Sequence, residues 1–158
     1  MITRESQQMF NFTPRMKRIR IALFISGNGS NARNIINYFA NHAQISVSLV
    51  LSSAKNEIMD SYCSEQSIPF AQPLGMEGDT YLKFCQEQEI DWVILAGFLK
   101  KIPSSFINAF PERIINIHPA LLPNFGGKGM YGHYVHEAVS KSSAQFSGVT
   151  IHLVNEEF

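Results

Sequence analysis

Short apolar runs rich in β-branched residues alternate with longer stretches in which apolar residues recur every three or four positions, and this alternation predicts a parallel sheet with crossover helices. "RIRIALFIS" is almost continuously apolar, as a strand buried on both faces of a sheet should be. Residues 31–41 read as a helix, with Ile35, Ile36, Tyr38 and Phe39 forming its buried stripe and Asn31 placed to cap it. "ISVSLVLSS" is a second strand, followed by a helix over 58–66 and the extended piece "IPFAQP". In "GDTYLKFCQEQEI", Asp79 stands at an N-cap and Tyr81, Leu82, Phe84 and Cys85 supply an apolar face. "DWVILAGF" is a buried strand, Pro103 leads a helix over 104–110, and "RIINIHP" is a strand stopped by Pro119. The run "NFGGKGMYG" contains Gly126, Gly127, Gly129 and Gly132 and reads as a mobile or tightly turning loop. A helix over 133–141 and the strand "GVTIHLVN" complete the pattern, with no internal repeat and no low-complexity linker.

The predicted fold class is therefore α/β: a Rossmann-like, mostly parallel sheet with helices on both faces. One domain over 18–158 is expected, because 158 residues suffice for a single core. Residues 1–17 are expected to be a disordered arm; Arg4, Arg15, Lys17, Arg18 and Arg20 against Glu5 faintly resemble a transit peptide, but no amphipathic stripe is sustained there. In such a sheet the loops at the carboxyl ends of the strands build the site. Since "VNEEF" closes the sequence directly after a strand, the last of these loops is expected to be cut off.

Charge narrows the function. Thirteen basic residues balance 13 acidic ones, so no overall field attracts nucleic acid or an anionic membrane, and specificity must come from a local site. No apolar run approaches the roughly 18 residues that cross a bilayer, and a cytoplasmic protein is expected. Cys63 and Cys85 are too far apart for a redox pair and have no zinc-ligand spacing around them, so both are expected to be reduced thiols and no metal is expected. His133 and His136 stand three apart without a third ligand, which makes them weak candidates for a metal.

Two segments carry candidate chemistry. The first is Gly27-x-Gly29-x-x-Ala32, at the junction of the first strand and helix, where glycines let the backbone approach an anion and leave N–H groups free to face it. A dinucleotide site would need an acidic residue at the end of the second strand to bind a ribose diol. That place reads Leu51-Ser52-Ser53-Ala54-Lys55. NAD thus loses its anchor, NADP keeps only Ser53 and Lys55 as weak holders of a 2′-phosphate, and a single phosphate or a purely structural turn remains.

The second segment is "INIHPALLP". Asn116 and His118 are two apart on a strand, so both side chains project from one face at its carboxyl end. An amide that can hold an oxygen turning into an oxyanion, beside an imidazole that can manage a proton, suits acyl transfer. Spacing alone leaves open a plain strand-end histidine held by backbone carbonyls, with Asn116 making a turn. His152 alternates with apolar residues and either points into the site or packs. No serine lies in a nucleophile elbow and neither cysteine adjoins a base, so a covalent nucleophile is not indicated.

"ISGNGSN", "VILAGFLKKI" and "NIHPALLP", in that order and spacing, resemble the phosphoribosylglycinamide formyltransferase family of folate-dependent enzymes. The resemblance covers about residues 18–158. It implies transfer of a formyl group from 10-formyltetrahydrofolate to the amine of glycinamide ribonucleotide by direct attack through a tetrahedral intermediate, in purine synthesis, with neither NAD(P) nor metal. Gly29, Ser30 and Asn31 would bind the ribonucleotide phosphate; Asn116 would bind the formyl oxygen and His118 would be the proton donor. Leu99, Lys100, Lys101, Ile102, Asn116, Asn155, Glu156, Glu157 and Phe158 would contact the folate. The partners implied are these two small molecules, with no nucleic acid and no membrane, in a monomer or homodimer.

The sequence departs from the family at several points. The family's catalytic aspartate would be the residue after Phe158, and the C-terminal part of the family fold, which helps bind the ribonucleotide, is missing from the sequence. Gly78 stands where the family commonly offers a basic residue, and the loop 124–133 is longer than in many relatives. The rival readings are another 10-formyltetrahydrofolate-using hydrolase or transferase, and a non-catalytic nucleotide- or folate-binding fragment.

Overall fold

The computed structural model describes residues 17–73, 78–127 and 129–156. The order is β1 (Ile19–Ile25), α1 (Ser30–Phe39), β2 (Ile45–Ser52), α2 (Glu57–Glu65), β3 (Phe70–Ala71), α3 (Gly78–Glu87), β4 (Trp92–Leu95), α4 (Ser104–Ala109), β5 (Ile114–His118), α5 (His133–Lys141) and β6 (Thr150–Leu153). The strands form one sheet in the order β3-β2-β1-β4-β5-β6. Every pairing is parallel except β5 with β6, which is antiparallel.

Apolar residues on both faces of β1 explain its central place. Ala22 and Phe24 enter one layer, while Ile21, Leu23 and Ile25 enter the other. The first layer holds α3 and α4: the Phe24 ring lies 5.6 Å from Tyr81, 5.4 Å from Phe98 and 5.6 Å from Phe106, tilted or edge-on as aromatic quadrupoles favour. The second holds α1 and α2, with Ala32, Ile36, Met59 and Cys63 against Leu23, Ile25 and Val50. Helices thus cover both faces.

Several local expectations change. Helix α1 begins one residue early, at Ser30, and its N-cap is Gly29 in the left-handed region (φ 73), so Asn31 lies inside the first turn and is not the cap. Tyr38 is 78% exposed. Two positions on from Ile36 it has rotated about 200° around the helix, so the buried stripe consists of Ala32 and Ile36, with Ile35 and Phe39 flanking. Asp79 is likewise inside α3, which starts at Gly78; there its carboxylate favours the positive end of the helix instead of capping it. The apolar face of α3 is as expected, with Tyr81 and Cys85 buried and Leu82 and Phe84 packed alongside.

Both cysteines are buried and free. Burial pushes the Cys63 thiol up to about 11, helped by the nearby Asp60 carboxylate, and pushes Cys85 up to about 12. Of the expected arm, residues 1–16 lie outside the described residues, while Lys17 already contacts the domain, its Nζ 3.3 Å from Asp91 Oδ1. Among the described residues no helix is long and apolar enough to cross a membrane.

Candidate functional site

The chain leaves β1 for β2 on one side and returns to β4 on the other, which makes the carboxyl ends of β1 and β4 the switch point of the sheet. In open α/β sheets that is where a crevice forms. Ser26, the residue after β1, ties the loops there together. Its N–H donates to the Gly97 carbonyl at 3.0 Å, its Oγ accepts the Leu99 N–H at 2.8 Å, and the same Oγ lies 2.6 Å from Ser53 Oγ at the end of β2. Ser26 and its tie were not singled out from the sequence, because serine at a strand end has too many ordinary uses.

Beyond Ser26 the glycine loop opens into α1. A Cβ on Gly29 would fall 2.8 Å from Met59 Sδ and 3.3 Å from Ile25 Cδ1, so positive φ and close packing together require glycine there. Among the described residues no side chain caps α1, which turns the N–H groups of its first turn, Ser30 and Asn31 among them, toward an outside acceptor at the positive end of the helix. An open cleft of about 400 Å³ adjoins this turn, lined by Asn28, Ser30, Arg33, Asn34, Asn56 and Ile58.

Of these residues the sequence singled out only Ser30, and two of the others bear on the site. Asn56 caps α2 by accepting the Met59 N–H at 2.9 Å and donates from Nδ2 to the Gly27 carbonyl at 2.9 Å, bracing the glycine loop from a neighbouring turn. Arg33 brings a fixed positive charge to the cleft, its guanidinium 5.0 Å over the Tyr62 ring. The pair that could have held a 2′-phosphate is otherwise engaged: Ser53 meets Ser26, and Lys55 meets Glu57 at 2.5 Å.

At the end of β5, Asn116 and His118 share the sheet face that Ile114 turns into the α3–α4 layer. Asn116 sits between Leu95 of β4 and His152 of β6 as register partners, and its Nδ2 is 3.0 Å from His152 Nε2. His118 is 7% exposed, and its Nε2 lies 2.8 Å from the Phe125 carbonyl. A carbonyl only accepts, so Nε2 carries the proton and Nδ1 keeps the lone pair in the neutral ring. Thr150, opposite His118 in the ladder, fixes the connecting loop by donating to the Ala120 carbonyl at 2.7 Å and accepting the Leu122 N–H at 3.0 Å.

The residues expected to contact folate divide. Leu99 is 52% exposed and Lys100 and Lys101 are exposed, but the Ile102 side chain is buried in the α3–α4 core, so only its backbone could meet a ligand. Asn155 and Glu156 are exposed, and Glu156 Oε1 accepts from Asn108 Nδ2 of α4 at 3.2 Å, which holds this segment over the same layer. Glu157 and Phe158 lie outside the described residues. The open cleft is lined by the α1 and α2 starts and includes none of Leu99, Asn116 or His118. His133 and His136 are both exposed on α5, and no group of three or more His, Cys, Asp or Glu among the described residues could hold a metal ion.

A family model described as formyl transferase matches residues 19–158. The chloroplastic phosphoribosylglycinamide formyltransferase of Arabidopsis thaliana is 41% identical over 151 residues, which cover 90% of this chain and 52% of that protein. That of Vigna unguiculata is 40% identical over 151 residues, covering 90% and 48%. The chain thus spans about half the length of these curated relatives. Among solved structures, the phosphoribosylglycinamide formyltransferase from Anaplasma phagocytophilum superposes with a TM-score of 0.78 at 28% identity, covering 89% of this chain and 66% of that one. With the match running from the first residue of β1 through the end of β6, the chain belongs to the formyl transferase family.

Proposed function

We propose that the protein transfers a formyl group from 10-formyltetrahydrofolate to the amine of glycinamide ribonucleotide, the reaction of the phosphoribosylglycinamide formyltransferases it resembles. The observation that supports this reading is the pair Asn116 and His118 on one sheet face at the carboxyl end of β5, next in the sheet to β4, whose following loop Ser26 ties to the end of β1 just before the start of α1. An anionic phosphate suits that start, with Gly29, Ser30 and Asn31 as its cradle and Arg33 adding charge. Leu99, Lys100, Lys101, the Ile102 backbone and the segment 155–158 form the folate side in this proposal.

In the reaction the amine nitrogen bonds to the formyl carbon while the carbonyl electron pair moves onto oxygen, where an Asn116 N–H stabilises the charge. Collapse of the tetrahedral intermediate breaks the bond to N10 of the folate, which takes up the proton that the amine gives up. His118 has its Nε2 proton committed to the Phe125 carbonyl, so Nδ1 is the nitrogen at which it would receive and return a proton. No metal and no nicotinamide cofactor enters this scheme.

The test is formyl transfer to glycinamide ribonucleotide by the purified protein, with His118→Ala and Asn116→Ala each expected to lower turnover on the order of 10² to 10³ while the folate still binds. Near-unaltered turnover in either variant overturns the assignment. Loss of formyl from the folate without the amine would point to a hydrolase, and calorimetric binding of folate alone would point to a different acceptor. The cytoplasmic location belongs to the same proposal; the two plant relatives are named chloroplastic, and cell fractionation decides the compartment. Whether the working form is a monomer or a homodimer is read by sedimentation.

A further inference from the structure

The geometry points to His152 as a positioning residue: the lone pair on its Nε2 holds the Asn116 amide one way round, so that a Nδ2 hydrogen is presented to the formyl oxygen. The inference rests on the formyl-transfer reading, because it concerns the group that reading places at the oxyanion. His152 and Asn116 face each other across the β5–β6 ladder, and the Asn116 Nδ2 to His152 Nε2 distance is 3.0 Å. Direct cross-strand partners have their β-carbons about 5 Å apart, which brings an amide and an imidazole together without strain.

Which way the amide faces follows from the other side of the ring. His152 Nδ1 lies 3.0 Å from the Leu153 carbonyl. That oxygen has no proton to give, so Nδ1 donates, and Nε2 of the neutral ring is left as an acceptor. Asn116 must then turn Nδ2 toward it, because Oδ1 in that place would set lone pair against lone pair. One Nδ2 hydrogen goes to His152. The second is held in a known direction for an oxygen that gains charge during transfer, which is how a preorganised donor lowers a barrier.

Without the imidazole, rotation about the last torsion of asparagine is broad and nearly two-fold, so the carbonyl end would be presented as readily as the donor end. The strand pattern explains why β6 must lie next to β5 for this to work. A histidine anywhere else in the chain would meet Asn116 only by accident of a loop, whereas ladder register places it opposite by backbone hydrogen bonding alone.

The first test is nuclear magnetic resonance on the uniformly ¹⁵N-labelled protein near neutral pH. A scalar coupling across the hydrogen bond between Asn116 Nδ2 and His152 Nε2, with an Nε2 shift typical of an unprotonated nitrogen, is expected. A protonated Nε2 with no coupling overturns the proposal. The second test is kinetic. His152→Gln keeps an acceptor oxygen and should retain kcat to within about threefold, whereas His152→Phe should lower kcat about tenfold with KM for both substrates little changed.

In an Asn116→Ala background His152→Phe should cost nothing further, since the group it positions is gone. An equal loss in both backgrounds would mean that His152 only supports the fold, and the proposal fails. If the unmodified protein transfers no formyl group while the coupling is present, the reaction assignment falls and the amide orientation stands.

Discussion

The Phe125 carbonyl lies 2.8 Å from His118 Nε2, and Phe125 presents it from a left-handed backbone, φ 57, that non-glycine residues rarely adopt. The loop after β5 thereby decides which imidazole nitrogen bears the proton. Phe125→Gly, which takes that conformation freely, should preserve the His118 Nε2–H resonance and turnover. Phe125→Pro, whose ring holds φ near −65°, should shift that resonance and lower kcat by about tenfold or more. An unchanged resonance in the proline variant would show that the carbonyl does not set the tautomer.

Gly29→Ala combines a residue forced to positive φ with a new Cβ 2.8 Å from Met59 Sδ. The left-handed backbone costs about 1–2 kcal/mol and the crowding about 1–3 kcal/mol more. A fall in urea-unfolding stability of that order is expected, with ribonucleotide binding weakened in the same variant. A loss under about 0.5 kcal/mol would mean that the loop yields more easily than its packing indicates.

Arg33 supplies the fixed charge in the cleft beside the α1 start, stacked over Tyr62. Arg33→Gln should weaken calorimetric binding of the ribonucleotide by about threefold to tenfold, and the difference should shrink as salt rises, because screening acts on charge and not on shape. Equal affinity of both proteins at low salt would remove Arg33 from the proposed phosphate site.

The buried thiols set an alkaline limit. Both folded-state values are raised from the ordinary thiol value of 9.0, Cys63 to about 11 and Cys85 to about 12, mainly by burial. The unfolded thiols ionise first, so the stabilising effect is complete below pH 9 and is lost as pH rises toward 11 and 12. Urea midpoints should therefore fall between pH 9 and 11, and less steeply in Cys63→Ala. With both thiols buried and their ionisation pushed well above neutrality, iodoacetamide should label neither cysteine at pH 8 until denaturant is added.

Much of the fold was legible in the order of residues. The continuous apolar run of β1, the alternation of strand and helix and the inward face of α3 depend on local periodicity, and each element stands within a few residues of its expected place. The paired Asn116 and His118 were legible for the same reason, since a spacing of two on a strand needs no tertiary information. Helix ends were less so. Gly29 takes the cap that Asn31 was expected to supply, because a left-handed turn and the closeness of Met59 decide where α1 can begin.

What the tertiary structure alone decided is the second ring of contacts. Ser26 with Leu99, Asn56 with Gly27, His118 with the Phe125 carbonyl and Asn116 with His152 join residues from different elements or across a turn. The Ser26–Leu99 and Asn116–His152 contacts depend on strand order and ladder register, on β4 returning beside β1 and on β6 running antiparallel to β5, whereas His118 meets Phe125 through the turn of the loop after β5. Sequence periodicity states which face a side chain takes. Only the folded sheet states which strand lies opposite, and that is what turns a lone histidine in "TIHLV" into the partner of Asn116.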